Sequence, residues 1–330
     1  MTSKAPTISM TRRHALAVGG GLILSASAAP AVLAQSSKSG EAGQSGAKGG
    51  GDLPQKRMED ILQADGKMKN GILGFEVGRK DLDVKGHGIP FKPSWQVLHE
   101  FYFQSIGGGK AIFNGDMAMV AGELNPVIDE ILSHGLVFEA EHQHFYGLSP
   151  QIWHIHLRGQ GDPINLAEGV AAAMKATGVP LPQKSEKNPK TPLDAKKLGE
   201  ILGGDAEVKE DGVVTVKIPR KEQMTLGGRN IIPLLNVETH VDFQPLEDKP
   251  SSGSFIRTAV APDFAMTTDE IGPLMTVMRN NGFEVHCLYN QETGESPQLF
   301  FSHQLAIGDP EKLARIVRKG LDKTNSKFKS

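Results

Sequence analysis

The chain has 330 residues, with 36 Lys and Arg against 38 Asp and Glu, which gives a formal net charge of −2. This balance lacks the excess of basic residues with which proteins bind nucleic acid or anionic membranes, so we expect no nucleic-acid partner, and the charge does not favour binding to anionic membranes. The single cysteine, Cys287, cannot form an internal disulfide, and we expect it to be buried between Val285 and Leu288.

The first 34 residues have the pattern of a signal peptide. A basic segment over residues 11–14 precedes an apolar stretch over residues 15–29, and Val32-Leu33-Ala34 resembles a signal-peptidase cleavage site. The paired arginines and the glycine-containing apolar stretch indicate a twin-arginine leader. The stretch is shorter than the roughly 20 residues that a membrane span needs. We therefore predict a periplasmic or secreted protein with no membrane span after cleavage.

Residues 35–52 are mostly Ser, Gly, Lys, Gln and Ala, which predicts a flexible tether. Beyond the tether, the chain repeats itself at a spacing of 147 residues. The recurring residues are Met119, Glu123, Pro126, Gly135, Ser149-Pro150-Gln151, His156 and Gly161-Asp162-Pro163, matched by Met266, Glu270, Pro273, Gly282, Ser296-Pro297-Gln298, His303 and Gly308-Asp309-Pro310. We predict a tandem duplication with halves over residues 53–180 and 193–322, joined by a segment rich in Pro and Lys.

Each half is predicted to contain the same elements in the same order. The predicted helices are 57–64, 124–133 and 165–176 in the first half and 195–202, 271–280 and 311–321 in the second; the predicted strands are 74–77, 98–104 and 110–120, then 213–218, 239–244 and 255–260. This order predicts an α+β fold in which helices cover one face of a mainly antiparallel sheet in each half. If the halves pack face to face about a pseudo-twofold axis, their interface is the natural place for a cleft.

Several shared residues have a structural explanation. Asp162-Pro163 and Asp309-Pro310 place a capping carboxylate before a proline at the first helical position. Glu123 and Glu270 lie in first turns of helices, where negative charge suits the helix dipole. Residues 107–110 lack the spacing of a phosphate-binding loop and predict a hairpin turn.

The most informative feature is a group of four histidines within fifteen residues, arranged as two His-x-His pairs: His142 with His144, and His154 with His156. Both pairs lie in stretches that alternate like strands, and residues 147–150 between them are turn formers, which predicts a hairpin. A register in which facing residue numbers add up to 298 places His142 opposite His156 and His144 opposite His154, with all four rings on one face. The same register sends four apolar side chains to the other face, toward the core: Phe145, Trp153, Ile155 and Leu157.

Neutral imidazole is the commonest transition-metal ligand, and zinc, copper or iron needs such donors at about 2.0–2.1 Å. The hairpin therefore predicts a transition-metal site on His142, His144, His154 and His156. No thiolate is available to it, so zinc, copper and non-haem iron all stay open. The alternative is a polar strand face whose rings are solvated or bonded to one another and to Glu141.

Other polar residues are candidates to complete the site. His99, Glu100 and His240 lie on the preceding strands, and Asp116 and Asp263 are candidates for contacts behind the ligands.

The two halves differ at the histidines. At the spacing of 147, His142, His144 and His154 correspond to Tyr289, Gln291 and Phe301, and only His156 keeps a histidine, His303. We therefore expect the site in the first half and a degenerate or supporting copy in the second. A two-residue insertion in the second half brings His286 near the equivalent face without placing it at a ligand position.

These residues resemble the pattern of the DUF1259 family of exported bacterial proteins, also called LppY/LpqO. The matching positions are Gly115-Asp116, Glu123-x-x-Pro126-Val127, Gly135, His142-x-His144, Ser149-Pro150, His156 and Gly161-Asp162-Pro163-x-x-Leu166-Ala167, with Pro219-Arg220 and Phe243-Gln244-Pro245 in the second half. The resemblance covers essentially the whole chain after the tether. It implies an exported, duplicated domain in which His142, His144 and His156 carry the family's histidine pattern, and it implies no particular activity.

Three functions fit these observations. The first is an exported metal-binding protein that sequesters, senses or carries an ion. The second is a metal-dependent hydrolase or oxidoreductase, with Glu100 or Glu141 as proton shuttle, which requires an open coordination position beside a cleft. The third is a module that binds a small molecule or an envelope protein in the cleft between the halves without a metal.

Overall fold

The computed structural model describes residues 53–251 and 255–329. The predicted leader and tether lie outside this range, so export and cleavage stay predictions. The described residues belong to one compact unit. Within these ranges, no helix is long and apolar enough to cross a membrane.

The first half begins with a helix and ends with a helix. Its elements are α1 (Gln55–Leu62), β1 (Gly66–Lys69), β2 (Ile72–Gly78), β3 (Val84–Gly86), β4 (Ile89–Phe91), β5 (Leu98–Gly107), β6 (Lys110–Met119), a 3-10 turn (Ala121–Glu123), α2 (Leu124–Ser133), β7 (Val137–His142), β8 (Trp153–Gly161) and α3 (Pro163–Lys175).

The second half repeats this order. Its elements are α4 (Ala195–Leu202), β9 (Asp205–Val208), β10 (Val214–Ile218), β11 (Met224–Leu226), β12 (Arg229–Ile231), β13 (Thr239–Pro245), β14 (Thr258–Met266), α5 (Thr268–Asn280), β15 (Glu284–Val285), β16 (Glu295–Ser296), β17 (Phe300–Gly308) and α6 (Pro310–Leu321).

Each half builds one six-stranded antiparallel sheet with the same topology. The strand orders are β1-β2-β5-β6-β8-β7 and β9-β10-β13-β14-β17-β15. The small hairpin of β3 and β4 matches the one of β11 and β12, which also pairs with β16. The predicted duplication is therefore present in the fold as well as in the sequence.

The two sheets pack against each other through the faces that their helices leave uncovered. In the first half, Phe75 and Ile155 pack against α1, α2 and α3 on the helix side. On the opposite side, Ile112 of the first half lies in one apolar cluster with Ala265 and Phe301 of the second. The molecule thus has four layers, in the order helices, sheet, sheet, helices, which confirms the predicted α+β class with helices on one face of each sheet.

The predicted β7–β8 hairpin is present, but the predicted register differs from the observed one by two residues. His142 pairs with His154, and Ala140 pairs with His156, so facing numbers add up to 296 rather than 298. A shift of two keeps each side chain on its face, because side chains alternate along a strand. His144 lies beyond the end of β7, in a loop that folds back over the sheet, so its predicted pairing with His154 does not occur.

The apolar face of the hairpin is also divided. Ile155 and Leu157 are buried under the helices, with Trp153 packed beside them. Phe145 instead lies in the apolar cluster between the two sheets, next to Trp95. The loop after β7 therefore turns Phe145 away from the face on which strand alternation would have put it.

A buried arginine ties each helix α2 or α5 to its sheet. Arg79 donates to both carboxylate oxygens of Glu123 at 2.8 and 2.9 Å and to the carbonyl of Ala118 at the end of β6. Arg220 makes the same bonds to Glu270 and Ala265. The shared glutamates are therefore structural, as predicted, although their main partner is an arginine rather than the helix dipole.

The two capping aspartates also have the predicted role. Asp162 accepts hydrogen bonds from the backbone nitrogens of Ile164 and Asn165, and Asp309 does the same for Glu311 and Lys312. The glycine-rich segment before Lys110 is the predicted hairpin turn between β5 and β6. The strand predicted over residues 255–260 runs instead over Thr258–Met266. The prediction ended too early because Pro262 lies within this strand, and a proline argues against a central strand.

Candidate metal centre

The candidate site lies between the two sheets, at the middle of the molecule. Asp116 on β6 pairs with His156 on β8, and Asp263 on β14 pairs with His303 on β17 in the same way. Face-to-face packing of the sheets brings these two Asp–His pairs together. Both halves thus contribute to the cluster, whereas the sequence analysis expected the site in the first half and only a degenerate or supporting copy in the second.

His144 is the residue at which the cluster converges. Its ring stacks between the ring of His154, with centroids 3.3 Å apart, and the ring of His303, with centroids 3.7 Å apart. The ligand atoms of His142, His144 and His156 all lie within 4.8 Å of one another, and so do those of Asp116, His144 and His154. The four predicted histidines therefore lie in one cluster, in two overlapping groups of possible ligands that have His144 in common.

Hydrogen bonds fix the orientation of His144. Its Nδ1–H donates to Oε1 of Gln96 at 2.9 Å, and Nε2 of Gln96 donates to Asp242 at 2.7 Å. Because the carboxylate of Asp242 accepts only, Gln96 must present its oxygen to the ring. The lone pair of His144 then lies on Nε2, which points into the cluster.

His154 is oriented by a carboxylate. Its Nδ1–H donates to both oxygens of Asp116, at 3.0 and 3.1 Å. A carboxylate behind an imidazole is the common arrangement behind metal-bound histidine, where it fixes the tautomer and raises the basicity of the ligand. Asp116 thus occupies the supporting position that the sequence proposed for it.

Several nitrogens in the cluster are buried without a hydrogen bond. Within the described part of the chain, both ring nitrogens of His142 and of His156 lack a partner, as does Nε2 of His144 and of His303. Buried polar atoms in proteins are almost always paired, because an unpaired one costs about 1–3 kcal/mol. So many unpaired nitrogens in one cluster call for partners that the described side chains do not supply.

The surroundings keep these rings neutral. Burial, reinforced by the neighbouring histidines, lowers the pKa of His142, His144 and His303 well below the ordinary value. Burial acts to raise the pKa of Asp116, but its electrostatic interactions with His154 and His156 and the hydrogen bond from His154 outweigh burial and hold the pKa below its ordinary value. Burial raises the pKa of Asp263, the equivalent residue of the second half, to about 7.

Two predicted site residues lie elsewhere. His99 is on the helix-facing side of β5, where its Nε2 lies 3.3 Å from the hydroxyl of Thr177, and burial lowers its pKa to about 3. Glu141 pairs with Ile155 and is exposed, so it faces away from the centre and cannot be the proton shuttle. Both follow from strand alternation, because each is separated from a site residue by an odd number of positions.

Glu100 and His240 do line the site. They occupy equivalent places in the two halves, since Glu100 pairs with Asp116 and His240 pairs with Asp263. Sequence reasoning missed Gln96 and underrated the second half. The sequence signals for the second half's contribution were the repetition of Asp116 and His156 as Asp263 and His303 and the position of His240 on a preceding strand, whereas no sequence signal pointed to Gln96.

Three cavities near the candidate site share a lining residue. A cavity of about 10 Å³ lies against His144, His154 and His156, which is about the space of one water molecule or ion. A second, of about 20 Å³, shares Glu100 and His240 with the first. The third, of about 400 Å³, lies between the sheets at their β1 and β9 edges. Leu98 lines all three.

The model of the family described as "Domain of Unknown Function (DUF1259)" matches residues 56–176 and again residues 196–323. The chain belongs to the DUF1259 family. The two matches correspond to the two sheet-and-helix halves, and the family description states no activity. The resemblance noted in the sequence is thereby confirmed.

Other comparisons add little to the family assignment. No curated protein matches the chain significantly. A solved structure titled "Crystal structure of a trimeric bacterial microcompartment shell protein PduB" is similar at 12% sequence identity over 79% of this chain and 91% of that chain, with a TM-score of 0.21. At that TM-score the similarity supports no conclusion about this DUF1259 protein.

The unpaired rings predict that the centre destabilises the metal-free protein. Replacing His156 by leucine removes two buried unpaired nitrogens at similar volume, so the free energy of unfolding without metal should rise by about 1 kcal/mol. Urea unfolding in the presence of a chelator measures this change. A loss of stability of the size usual for a core substitution would show that the ring is held by interactions other than metal binding.

Proposed function

We propose that this DUF1259 protein binds a transition-metal ion between its two sheets. His142, His144 and His156 are the primary ligands, and His154, backed by Asp116, is the fourth imidazole of the set. His303 closes the centre from the second half. The observation that supports this most is the proximity of the buried, unpaired ring nitrogens of His142, His144 and His156, whose ligand atoms all lie within 4.8 Å of one another.

The chemistry of the donors fits nitrogen-preferring ions. Imidazole suits zinc, copper and iron, whereas magnesium and calcium prefer sets of oxygen ligands. Ligand nitrogens around a tetrahedral ion at about 2.0–2.1 Å lie roughly 3.3 Å apart. The nitrogens of His142, His144 and His156 lie within 4.8 Å of one another, so modest ring rotations suffice to bring them around one ion.

A single substitution tests the ligand set. In protein purified without a histidine tag and without added metal, we expect close to one equivalent of zinc, copper or iron. His144→Ala removes the residue common to both ligand groups, so the affinity for the ion should fall by more than about 100-fold. Elemental analysis after dialysis against a weak chelator measures the loss.

The matched control is His134→Ala. His134 is an exposed histidine at the end of α2, bonded through Nδ1 to the carbonyl of Glu130, and its loss should leave the metal content unchanged. Circular dichroism establishes that both variants are folded. Equal metal content in folded His144→Ala and wild-type protein would contradict the proposed site.

A metal-dependent enzyme is the second candidate function, and the cavities favour it. Both halves line the large cavity, and Leu98 lines it together with both smaller cavities, so we propose that a small molecule from the sheet edges reaches the ion along a path past Leu98. Along this path, Tyr102 donates a hydrogen bond to Glu100 at 2.8 Å, and Glu100 lines both small cavities. Glu100 is therefore placed to exchange a proton with a ligand near the ion.

Blocking this path separates binding from catalysis. Leu98→Trp should fill the junction of the cavities, so azide added as a small anionic probe should reach the ion more slowly while metal content is retained. Stopped-flow absorbance of the cobalt- or copper-substituted protein follows azide binding. Leu132→Trp, on the exposed face of α2, is the matched control. An ion that does not bind azide in the wild type would be fully enclosed, which would exclude the enzyme and favour storage or transport.

A further inference from the structure

Three metal-ligand side chains meet at the surface seam between the halves, away from the buried centre. His87 lies in the turn between β3 and β4 of the first half. In the second half, Glu284 is the first residue of β15, and His286 directly follows that strand. Oε2 of Glu284 is 3.6 Å from Nδ1 of His87 and 3.6 Å from Nε2 of His286. Ligand atoms of all three lie within 4.8 Å of one another.

The hydrogen bonding of His87 leaves Nδ1, the nitrogen that faces Glu284, free to bind an ion. Nε2 of His87 lies 2.9 Å from the carbonyl oxygen of Tyr146, which accepts only, so Nε2 carries the proton. The lone pair is then on Nδ1, the atom that faces Glu284. A histidine whose second nitrogen donates to a backbone carbonyl is the usual form of a metal ligand.

His286 supplies a second, independent indication. Its side chain is 3% exposed, and neither ring nitrogen has a hydrogen-bond partner among residues 53–251 and 255–329. Glu284, two positions earlier on the same strand face, is the nearest carboxylate. The ring of His87 stands almost perpendicular to that of His286, with centroids 4.7 Å apart.

The fold itself does not require these residues. The turn that equals His87-Gly88 in the second half is Gly227-Gly228, and all four residues have positive φ. Such a two-residue hairpin turn favours glycine or asparagine, so a histidine with φ of 50° is a costly choice for the turn. At the positions of Glu284 and His286, the first half has Glu139 and Glu141. The combination of two histidines and one glutamate therefore occurs at only one of the two equivalent places in the described residues.

We propose that His87, Glu284 and His286 form a second transition-metal site, open to solvent, that links the two halves at the surface. Two nitrogens and one carboxylate oxygen suit a divalent ion such as zinc, with a water molecule at the remaining position. Phe145 separates this site from the buried one, since its ring lies 5.1 Å from that of His286 and 5.7 Å from that of His303. The seam site is therefore independent of the buried centre.

The test uses His87→Asn, because asparagine before glycine is the preferred sequence for this turn and should preserve the fold. Zinc is titrated calorimetrically into the full chain with its buried centre as purified. Wild-type protein should bind one further equivalent, and His87→Asn and Glu284→Gln should each weaken that event by about 100-fold. His134→Asn, at an exposed histidine on α2, should leave it unchanged.

The outcomes distinguish this site from the buried one. His144→Ala should retain the added zinc equivalent even where the buried ion is lost. Zinc binding by His87→Asn that equals the wild type would overturn the seam site, and so would a wild type that takes up no further equivalent. Loss of the added zinc in His87→Asn, together with full metal content in His144→Ala, would support the seam site while contradicting the buried one.

Discussion

The structure depends on the packing of two duplicated sheets through the faces that carry their polar residues. Each sheet has helices on one face, so the other face can be covered only by its duplicate. That arrangement removes Asp116, His156, Asp263 and His303 from water. Burying polar groups is unfavourable unless they are paired, and hydrogen bonds within the cluster satisfy only some of them. A bound ion would use the remaining lone pairs and, through His303, would add a link between the halves to the apolar contacts that already join the sheets.

Duplication also explains why the two halves differ. The frame is repeated closely: Arg79 and Arg220 make the same bonds, and the capping aspartates serve equivalent helices. The site is repeated only in its Asp–His pairs. Where the first half has His142, the second has Tyr289, whose ring stacks on His142 with centroids 3.6 Å apart. The second half therefore covers the cluster with Tyr289 and supplies His303. The first half supplies most of the proposed ligands, and the second half mainly encloses them.

Local patterns predicted much of this arrangement, and long-range packing decided the rest. Strand alternation placed His154 and His156 on one face, and turn chemistry located the hairpins. The register of β7 was wrong because the connecting loop is longer than its turn-forming residues indicate, and His144 reaches the cluster from that loop. Gln96 orients His144 from a distant part of the chain, and His303 arrives from the other sheet. Neither contact has a periodic signal, since each depends on how the two halves meet.

The most direct test of metal binding between the two sheets is to locate the ion. Anomalous X-ray diffraction from crystals of the metal-loaded protein, collected on both sides of the metal's absorption edge, gives its position without reference to any mutation. If the proposed centre binds the ion, the peak lies between the two sheets, at about 2.0–2.1 Å from ring nitrogens of His144 and of at least two other histidines of the cluster. An empty cavity there in metal-loaded protein, with the rings hydrogen-bonded to ordered water instead, would contradict it.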